Sequence, residues 1–307
     1  MKKVSVITVN FNQAEVTQAM LLSIKSTNTY GNIEIIVVDN GSKTDASPTL
    51  STLFPDVVFI RSAINLGFAG GNNLGISHAT GDYYFLANND TEFTPGLIQK
   101  LAEVLEQHPN VGIVSPRINY FADKELIQYA GFTPINYFTG RNSTIGKYQR
   151  NGEYYNGITG PTAYIHGAAM MVKKETINKA GLMFENYFLY YEEMDWCERI
   201  KRAGYQVWMR GDAVIYHKES ATVGKNSRLK TYFMNRNRLL FARRNAPPFA
   251  ALVFYIYFML IVTPRNIWNY IKAKEYNYIT VLFKAIWWNM RNKRDSKQLG
   301  ISLKASA

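Results

Sequence analysis

The first 115 residues of this 307-residue chain alternate between short runs of aliphatic residues and longer stretches with helical spacing, and few folds satisfy that alternation. Residues 4–9, 33–39, 57–60, 83–87 and 111–114 are compact apolar runs and read as strands. Residues 14–26 place Val16, Met20, Leu21 and Ile24 on one helical face. Residues 46–54 and 72–79 read as shorter helices. Thr94-Pro95 reads as a helix start, with Thr as cap and Pro in the first turn, and that helix runs to about His108. Strands alternating with helices predict an α/β fold, a mostly parallel sheet with helices on both faces. Ligands of such sheets bind beyond the carboxyl ends of the strands. The segments that follow the first four strands are Asn10-Phe11-Asn12, Asp39-Asn40-Gly41-Ser42, residues 65–73 and Asn88-Asn89-Asp90. All are polar or glycine-rich, so the strand ends are expected to converge on one site.

Residues 116–165 are rich in Tyr, Asn and Gly without a long period, and read as loops and short strands over that site. Residues 166–172 return to a compact apolar stretch. Residues 191–203 read as a helix that buries Trp196, Cys197, Ile200 and Ala203 and ends at Gly204, and residues 205–209 as a short strand. The apolar run at residues 4–9 is too short for a signal peptide and reads as a buried strand. With one cysteine, Cys197, the chain can form no internal disulfide, which fits a reducing compartment.

Charge divides the chain. Residues 1–217 carry 18 Lys/Arg against 20 Asp/Glu, and residues 218–307 carry 17 against 3. A basic tail meets nucleic acid or anionic lipid. Here aromatic and aliphatic residues interleave with the basic ones, which favours lipid over nucleic acid. Residues 245–264 hold no charge, at the lower edge of what spans a bilayer, and Arg243, Arg244 and Arg265 bracket them. Trp287 and Trp288 stand near Lys284 and Arg291, as at a membrane interface. Positive charge on both flanks disfavours translocating either, so helices lying in the interface or a shallow hairpin are expected rather than a single crossing. The expected division is residues 1–224 as a catalytic domain and residues 225–307 as a membrane-associated helical region. Truncation near residue 225 should then leave a more soluble domain that keeps its ligand. If the tail did not bind membrane, an oligomerisation surface would be its other use.

Each chemical motif has an ordinary explanation when taken alone. Asp39 can accept hydrogen bonds from a ribose or a base, or simply form a turn. The glycine segment Asn65-Leu-Gly67-Phe-Ala-Gly70-Gly71-Asn72-Asn73 can bring backbone amides to a phosphate, or serve as a tight connection. Asn88-Asn89-Asp90 suits a hard divalent cation that bridges phosphates, or an exposed turn. Glu192, Glu193 and Asp195 sit at a helix start, where the dipole favours acids. The aromatic run Phe188-Leu189-Tyr190-Tyr191 before them can raise a carboxyl pKa and make a general base. His217 follows an apolar run, where a lone histidine is more often structural than a ligand.

In order, these pieces resemble the family 2 glycosyltransferases of GT-A fold, in particular rhamnosyltransferase-type enzymes of bacterial cell-surface polysaccharide synthesis. The resemblance covers about residues 3–220. It rests on Val4-Ser-Val-Ile-Thr-Val-Asn-Phe-Asn12, Val37-Val-Asp-Asn-Gly-Ser42, residues 65–73, Leu86-Ala-Asn-Asn-Asp-Thr91, His166-Gly-Ala168, and Tyr190-Tyr-Glu-Glu-Met-Asp-Trp196 with its continuation to Tyr205. It implies that Val9 and Asp39 contact the base, with Asn10, Asn65 and Gly67 in the nucleotide site and Asn88 near the ribose. Asp90 would ligate Mn²⁺ or Mg²⁺ on the diphosphate, and His217 would complete that site. Glu193 would be the catalytic base, where the family commonly has Asp after the first Glu, with Asp195 a rival. His166, Gly167 and Glu192 would face the acceptor. The metal motif is Asn-Asn-Asp where the family has Asp-x-Asp, which leaves one carboxylate. The Gln-x-x-Arg-Trp motif of processive synthases does not occur.

The expected reaction is an inverting transfer from a UDP- or dTDP-sugar, dTDP-rhamnose among the candidates. The acceptor would be a hydroxyl of a polyprenyl-linked or cell-surface glycan, at the cytoplasmic face of the membrane. Two readings stay open beside it. A nucleotidyltransferase would carry a basic glycine loop near the N-terminus, and residues 10–14 offer none. A non-catalytic membrane adaptor with a degenerate transferase domain is the other.

Overall fold

The computed structural model describes residues 1–150, 152–218 and 227–303. Ten strands among them join in one sheet: β1 Val4–Asn10, β2 Ile33–Asn40, β3 Val57–Ser62, β4 Tyr83–Ala87, β5 Thr91–Phe93, β6 Val111–Tyr120, β7 Ile127–Tyr129, β8 Thr159–Pro161, β9 Ala169–Lys173 and β10 Gln206–His217. The main order is β3-β2-β1-β4-β9-β6-β10-β5. β1 to β4, β6 and β10 run one way, while β9 and β5 oppose them, so the sheet is mostly parallel in direction.

Alternate side chains of one strand enter different cores. Val4 and Val6, with Tyr83, Phe85, Ala169 and Met171, pack under α1 (Ala14–Thr27) and a helix at Leu97–Gln107. Ile7, with Tyr84, Leu86, Met170 and Val172, faces the other core. Both faces are covered, so the strands read as continuous apolar runs rather than alternating ones. α2 (Ser47–Leu53) closes the β3 edge. α3 spans Gly67–His78, and α4 is the helix Leu97–Gln107.

Three sequence expectations need correction. The glycine segment is not a loop before a helix at residue 72 but the first turns of α3. Gly67, Gly71 and Gly75 stand four residues apart and turn one face of α3 toward its neighbours. A methyl group at Gly71 would come 2.9 Å from Val9, and one at Gly75 would overlap Ile7. Close approach to β1 overrides glycine's poor helix propensity. Gly75→Ala should therefore cost about 1–3 kcal/mol by overpacking, read as a lower melting temperature with the fold retained. Thr94 does not cap α4, which begins after Gly96 in a left-handed conformation, and the Thr94 hydroxyl instead donates to the Val214 carbonyl. The short strand expected at residues 205–209 continues past an irregularity between Arg210 and Val214 into one strand of 12 residues, β10.

The remaining helices are α5 (Gly152–Asn156), α6 (Lys174–Ala180), α7 (Glu192–Arg202), α8 (Arg228–Asn245), α9 (Pro248–Tyr257), α10 (Thr263–Lys272) and α11 (Asn277–Arg291). The expected domain boundary at 224/225 lies outside the described residues. Beyond it the C-terminal helices share a core with the sheet: Leu240 and Phe241 of α8 and Trp288 of α11 join Ile7, Val38, Tyr187 and Trp196. α9 and α10 run as one 25-residue helix, long and apolar enough to cross a membrane. A π-helical turn at Phe258–Val262 joins them. Pro264 follows directly, and its ring and missing N–H cannot be held by regular α geometry, so the wider turn takes up the mismatch. This helix leaves Phe249, Leu252, Ile256 and Leu260 exposed, and α11 leaves Phe283, Trp287 and Met290 exposed.

Candidate active site

Sheet pairing brings Asp90 to His217. β5 pairs antiparallel with β10, with Thr91 opposite His217, so the residue before β5 lies beside the end of β10. Asp90 Oδ1 is 3.2 Å from His217 Nε2, and both residues are buried. His217 Nδ1 meets Gln128 Oε1 of β7 at 2.9 Å. The other ring nitrogen, Nε2, points at the Asp90 carboxylate, so a nitrogen and an oxygen stand side by side at the strand ends. Neighbouring oxygen or nitrogen ligands around an octahedral ion at about 2.1 Å stand roughly 3 Å apart. Gln128 carries no charge or motif of its own, and nothing in the sequence marks it.

At the other strand ends, Asp39 Oδ1 accepts from the Ser42 N–H at 3.0 Å, while its buried Oδ2 has no hydrogen-bond partner. A buried carboxylate oxygen left unpaired is costly, and a ligand N–H or hydroxyl would satisfy it. Val9 is half-buried against Gly71. The side chains of Asn10 and Asn65 are engaged locally. Asn10 Oδ1 accepts from Gln13 N and Thr17 Oγ1. Asn65 Oδ1 accepts from Gly67 N at 2.8 Å and from Asn40 Nδ2 at 3.2 Å. Asn40 also donates to the Gly67 carbonyl and accepts from Leu66 N, which makes it the hub of this turn. Gly67 takes a left-handed conformation where a side chain would overlap the Phe188 carbonyl. That carbonyl accepts from Phe68 N at 2.8 Å, so a protein group already serves the start of α3.

His166 and Gly167 connect the two sides. Asn88 N–H donates to the Ala168 carbonyl at 2.9 Å. The His166 ring is 6.0 Å from that of His217 and packs against both Tyr129 and Phe132. Its Nδ1 accepts from the Ala168 N–H at 3.1 Å, and burial pushes its pKa down to about 3. A Cβ placed at Gly167 would be 4.0 Å from the Glu193 carboxyl carbon, so the absent side chain leaves room beside that carboxylate. Glu193 is half-buried at the first turn of α7, and burial raises its pKa to about 7.

Its two neighbours depart from expectation. Glu192, expected at the acceptor, is buried, with its carboxyl raised well above the ordinary range by burial and then by Glu193. Asp195, the rival base, is held as an anion: burial opposes its charge, but Arg244, Asn245 and Arg199 prevail and lower its pKa. Its oxygens accept from Arg199 Nε (3.0 Å), Arg244 Nε (3.0 Å), Asn245 Nδ2 (2.9 Å) and Tyr187 OH (3.2 Å). A buried carboxylate ion-paired to two arginines is a weak base, and its bonds to Arg244 and Asn245 tie α7 to α8.

The segment leading into α7 is strained. Phe188, Tyr190 and Tyr191 all have positive φ, at 63°, 71° and 76°, which bulky residues rarely adopt. Two fully buried residues of α8 hold it there. Asn237 Nδ2 donates to the carbonyls of Tyr187 (2.9 Å), Leu189 (2.7 Å) and Tyr190 (2.8 Å). Arg236 donates to the carbonyls of Asn186 and Tyr187, and its guanidinium lies over the Phe233 and Trp288 rings. Neither residue was expected from sequence. The available signal was their position in the helical stripe Tyr232, Phe233, Leu240, Phe241, where polar residues fill buried places.

The fold thus brings the Asp90–His217 pair, the Asp39 carboxylate with its unpaired oxygen and the raised carboxyl of Glu193 to one edge of the sheet. The sequence model described as Glycosyl transferase family 2 matches residues 5–178, and the chain belongs to that family. Among curated relatives it is similar to the low-salt glycan biosynthesis hexosyltransferase Agl10 of Haloferax volcanii, 27% identical over 77% of this chain and 74% of that one. It is also similar to the N-acetylglucosaminyl-diphospho-decaprenol L-rhamnosyltransferase of Mycobacterium tuberculosis, 24% identical over 62% and 68% of the two chains. The mannosyltransferase PcManGT of Pyrobaculum calidifontis, solved in complex with GDP-Man and Mn²⁺, shares the fold with a TM-score of 0.58. It is 16% identical over 95% of this chain and 88% of that one.

Proposed function

We propose that this glycosyltransferase moves a sugar, with inversion, from a nucleoside diphosphate donor to a hydroxyl of a polyprenyl-diphosphate-linked glycan at the cytoplasmic membrane surface. The observation that carries the reading is the convergence of Asp90 and His217 at the sheet edge that also holds the unpaired Asp39 oxygen. Glu193 stands beside Gly167 in the same site.

Asp39 Oδ2 would accept a base N–H, beside Val9, with Asn88 toward the ribose. Asp90 and His217 fit as protein ligands to Mn²⁺ or Mg²⁺. Among the described residues no group of three His, Cys, Asp or Glu comes together, so phosphate oxygens of the donor would have to complete the coordination. When bound, that ion supplies positive charge to a leaving diphosphate. Glu193 would take the proton of the acceptor hydroxyl as it attacks the anomeric carbon from the face opposite the diphosphate. His166 and Gly167 would shape the acceptor side. The relative from M. tuberculosis supports a lipid-linked acceptor through its name. The exposed apolar side chains of α9 to α11, with Arg265, Lys272, Lys274, Lys284, Arg291, Lys293 and Arg294 also exposed, support attachment to an anionic surface.

Asp90→Asn tests the metal assignment. Its single carboxylate would be lost with little change in shape, so Mn²⁺-dependent binding of UDP or dTDP should fall at least tenfold while the melting temperature of the apo protein holds. Unchanged Mn²⁺-dependent affinity in calorimetry would remove Asp90 from the site.

A further inference from the structure

Three arginines gather where the loop after β7 meets α8 and the α9–α10 helix. Arg238 of α8 donates through Nη2 to the Thr139 carbonyl at 2.6 Å. Its guanidinium lies over the rings of Phe254 and Phe258, at 5.7 and 5.8 Å. Gly140, with a positive φ, leaves room for it: a Cβ there would be 3.2 Å from Arg238 Nε. That Nε is buried and has no hydrogen-bond partner. Arg141 lies over Tyr257, at 5.9 Å. Arg141 and Arg265 are both near enough for their charges to act on Arg238. Burial lowers its pKa, the two cations add to that, and Tyr191 and Tyr257 oppose it. None of the three pairs with a carboxylate among the described residues, as Arg199 and Arg244 do with Asp195. Arg238 and Arg141 lie over neighbouring rings of α9 and the turn after it, and Arg265 follows further along the same helix. Like charges brought to one helix face without a carboxylate are relieved by a multivalent anion with several oxygens.

The surroundings narrow the ligand further. On one side is an apolar recess of about 360 Å³ lined by Ile135, Asn136, Tyr137, Phe138, Pro247 and Ala250. Beyond it runs the exposed apolar face of the α9–α10 helix. On the other side an aromatic layer leads to the catalytic segment: Tyr137 stacks on Phe241 at 6.2 Å, and Phe241 meets Tyr191 at 5.8 Å, two residues before Glu193. An anion held here has hydrocarbon on one hand and the transfer site on the other.

We propose that Arg141, Arg238 and Arg265 bind the diphosphate of the lipid-linked acceptor, with its isoprenoid chain toward the exposed helix face and its sugar toward Glu193. This rests on the transferase reading above and adds to it a site that the donor does not use.

The test uses the full chain and the variant Arg141→Gln/Arg265→Gln, which alters two exposed side chains, with Arg238→Lys as a second variant. Binding is measured to phosphatidylcholine vesicles that carry geranylgeranyl diphosphate, geranylgeraniol or phosphatidylglycerol, and to inorganic diphosphate in solution. The expected result is tight binding to the diphosphate lipid, reduced about tenfold or more in the double variant, with phosphatidylglycerol binding changed much less. Arg238→Lys should also weaken it, because an ammonium cannot reproduce the planar fork. Equal losses on both anionic vesicles would show a general anionic-surface patch and overturn the proposal, as would an unchanged affinity for the diphosphate lipid. Inorganic diphosphate bound as tightly as the lipid would overturn the role of the apolar side. Donor binding is followed on the same samples. Its absence from every protein would count against the transferase reading alone, and the vesicle comparison would still decide the arginine site.

Discussion

Glu193→Gln is expected to reduce turnover by about 10²–10⁴-fold while leaving donor affinity and melting temperature close to those of the parent. The substitution keeps the side chain's size and its place at the first turn of α7 but removes the ability to take a proton. The pH profile separates this from a structural loss. Burial raises the Glu193 pKa to about 7, so the carboxyl is mostly protonated below neutrality. A base must be ionised to act, so turnover of the parent should rise with pH, about tenfold per unit, and level off above about 7. The Gln variant should lack that limb. A parent profile without inflection between pH 5 and 8, or a mild effect of the substitution, would place the base elsewhere.

Asp195→Asn provides the contrast, because the sequence alone could not rank the two acids. Its carboxylate accepts from Arg199, Arg244, Asn245 and Tyr187. Removing one partner of a buried ion pair leaves the other charge uncompensated, at a cost of about 3–5 kcal/mol. The loss should therefore appear in the melting curve, with activity falling in step with the folded fraction.

Much of the front half was legible because both faces of the sheet are buried. Continuous apolar runs marked β1, β2 and β4 within a residue or so, and polar strand ends marked the site edge. What was hidden depended on distance between segments. The pairing of β5 with β10 brings Asp90 to His217 across more than a hundred residues, which periodicity cannot show and only the family resemblance suggested. The glycines of α3 looked like a phosphate loop because propensity describes an isolated helix, whereas here the helix is pressed against Val9 and Ile7. The two acids of α7 looked equivalent because the residues that distinguish them, Arg244 and Asn245, lie in α8. Net charge marked the tail as a separate basic region and did not reveal that Leu240, Phe241 and Trp288 lie in the main core.

That shared core reverses the outcome expected of truncation. Deleting residues 227–303 exposes the apolar surface that Leu240, Phe241 and Trp288 cover and removes every α8 contact to the catalytic segment. The fragment should aggregate or unfold and fail to bind donor, where a detachable tail would leave a soluble, donor-binding domain. Asn237→Ala makes the same argument with one side chain. Arg236 still serves the Tyr187 carbonyl, but those of Leu189 and Tyr190 lose their donor. A buried polar group left unsatisfied costs about 1–3 kcal/mol, so the variant should lose several kcal/mol of stability in urea melts. The strained backbone at Tyr190 and Tyr191 would also be free to relax, and it is the direct lead into Glu192 and Glu193. Turnover of the folded fraction should then fall further than the affinity for donor, which in the proposed site Asp39 and Asp90 would hold from the other side. A cooperative melt and full donor affinity in the truncated fragment, together with an Asn237→Ala enzyme of parental turnover, would show that the C-terminal helices are an attachment and not part of the catalytic body.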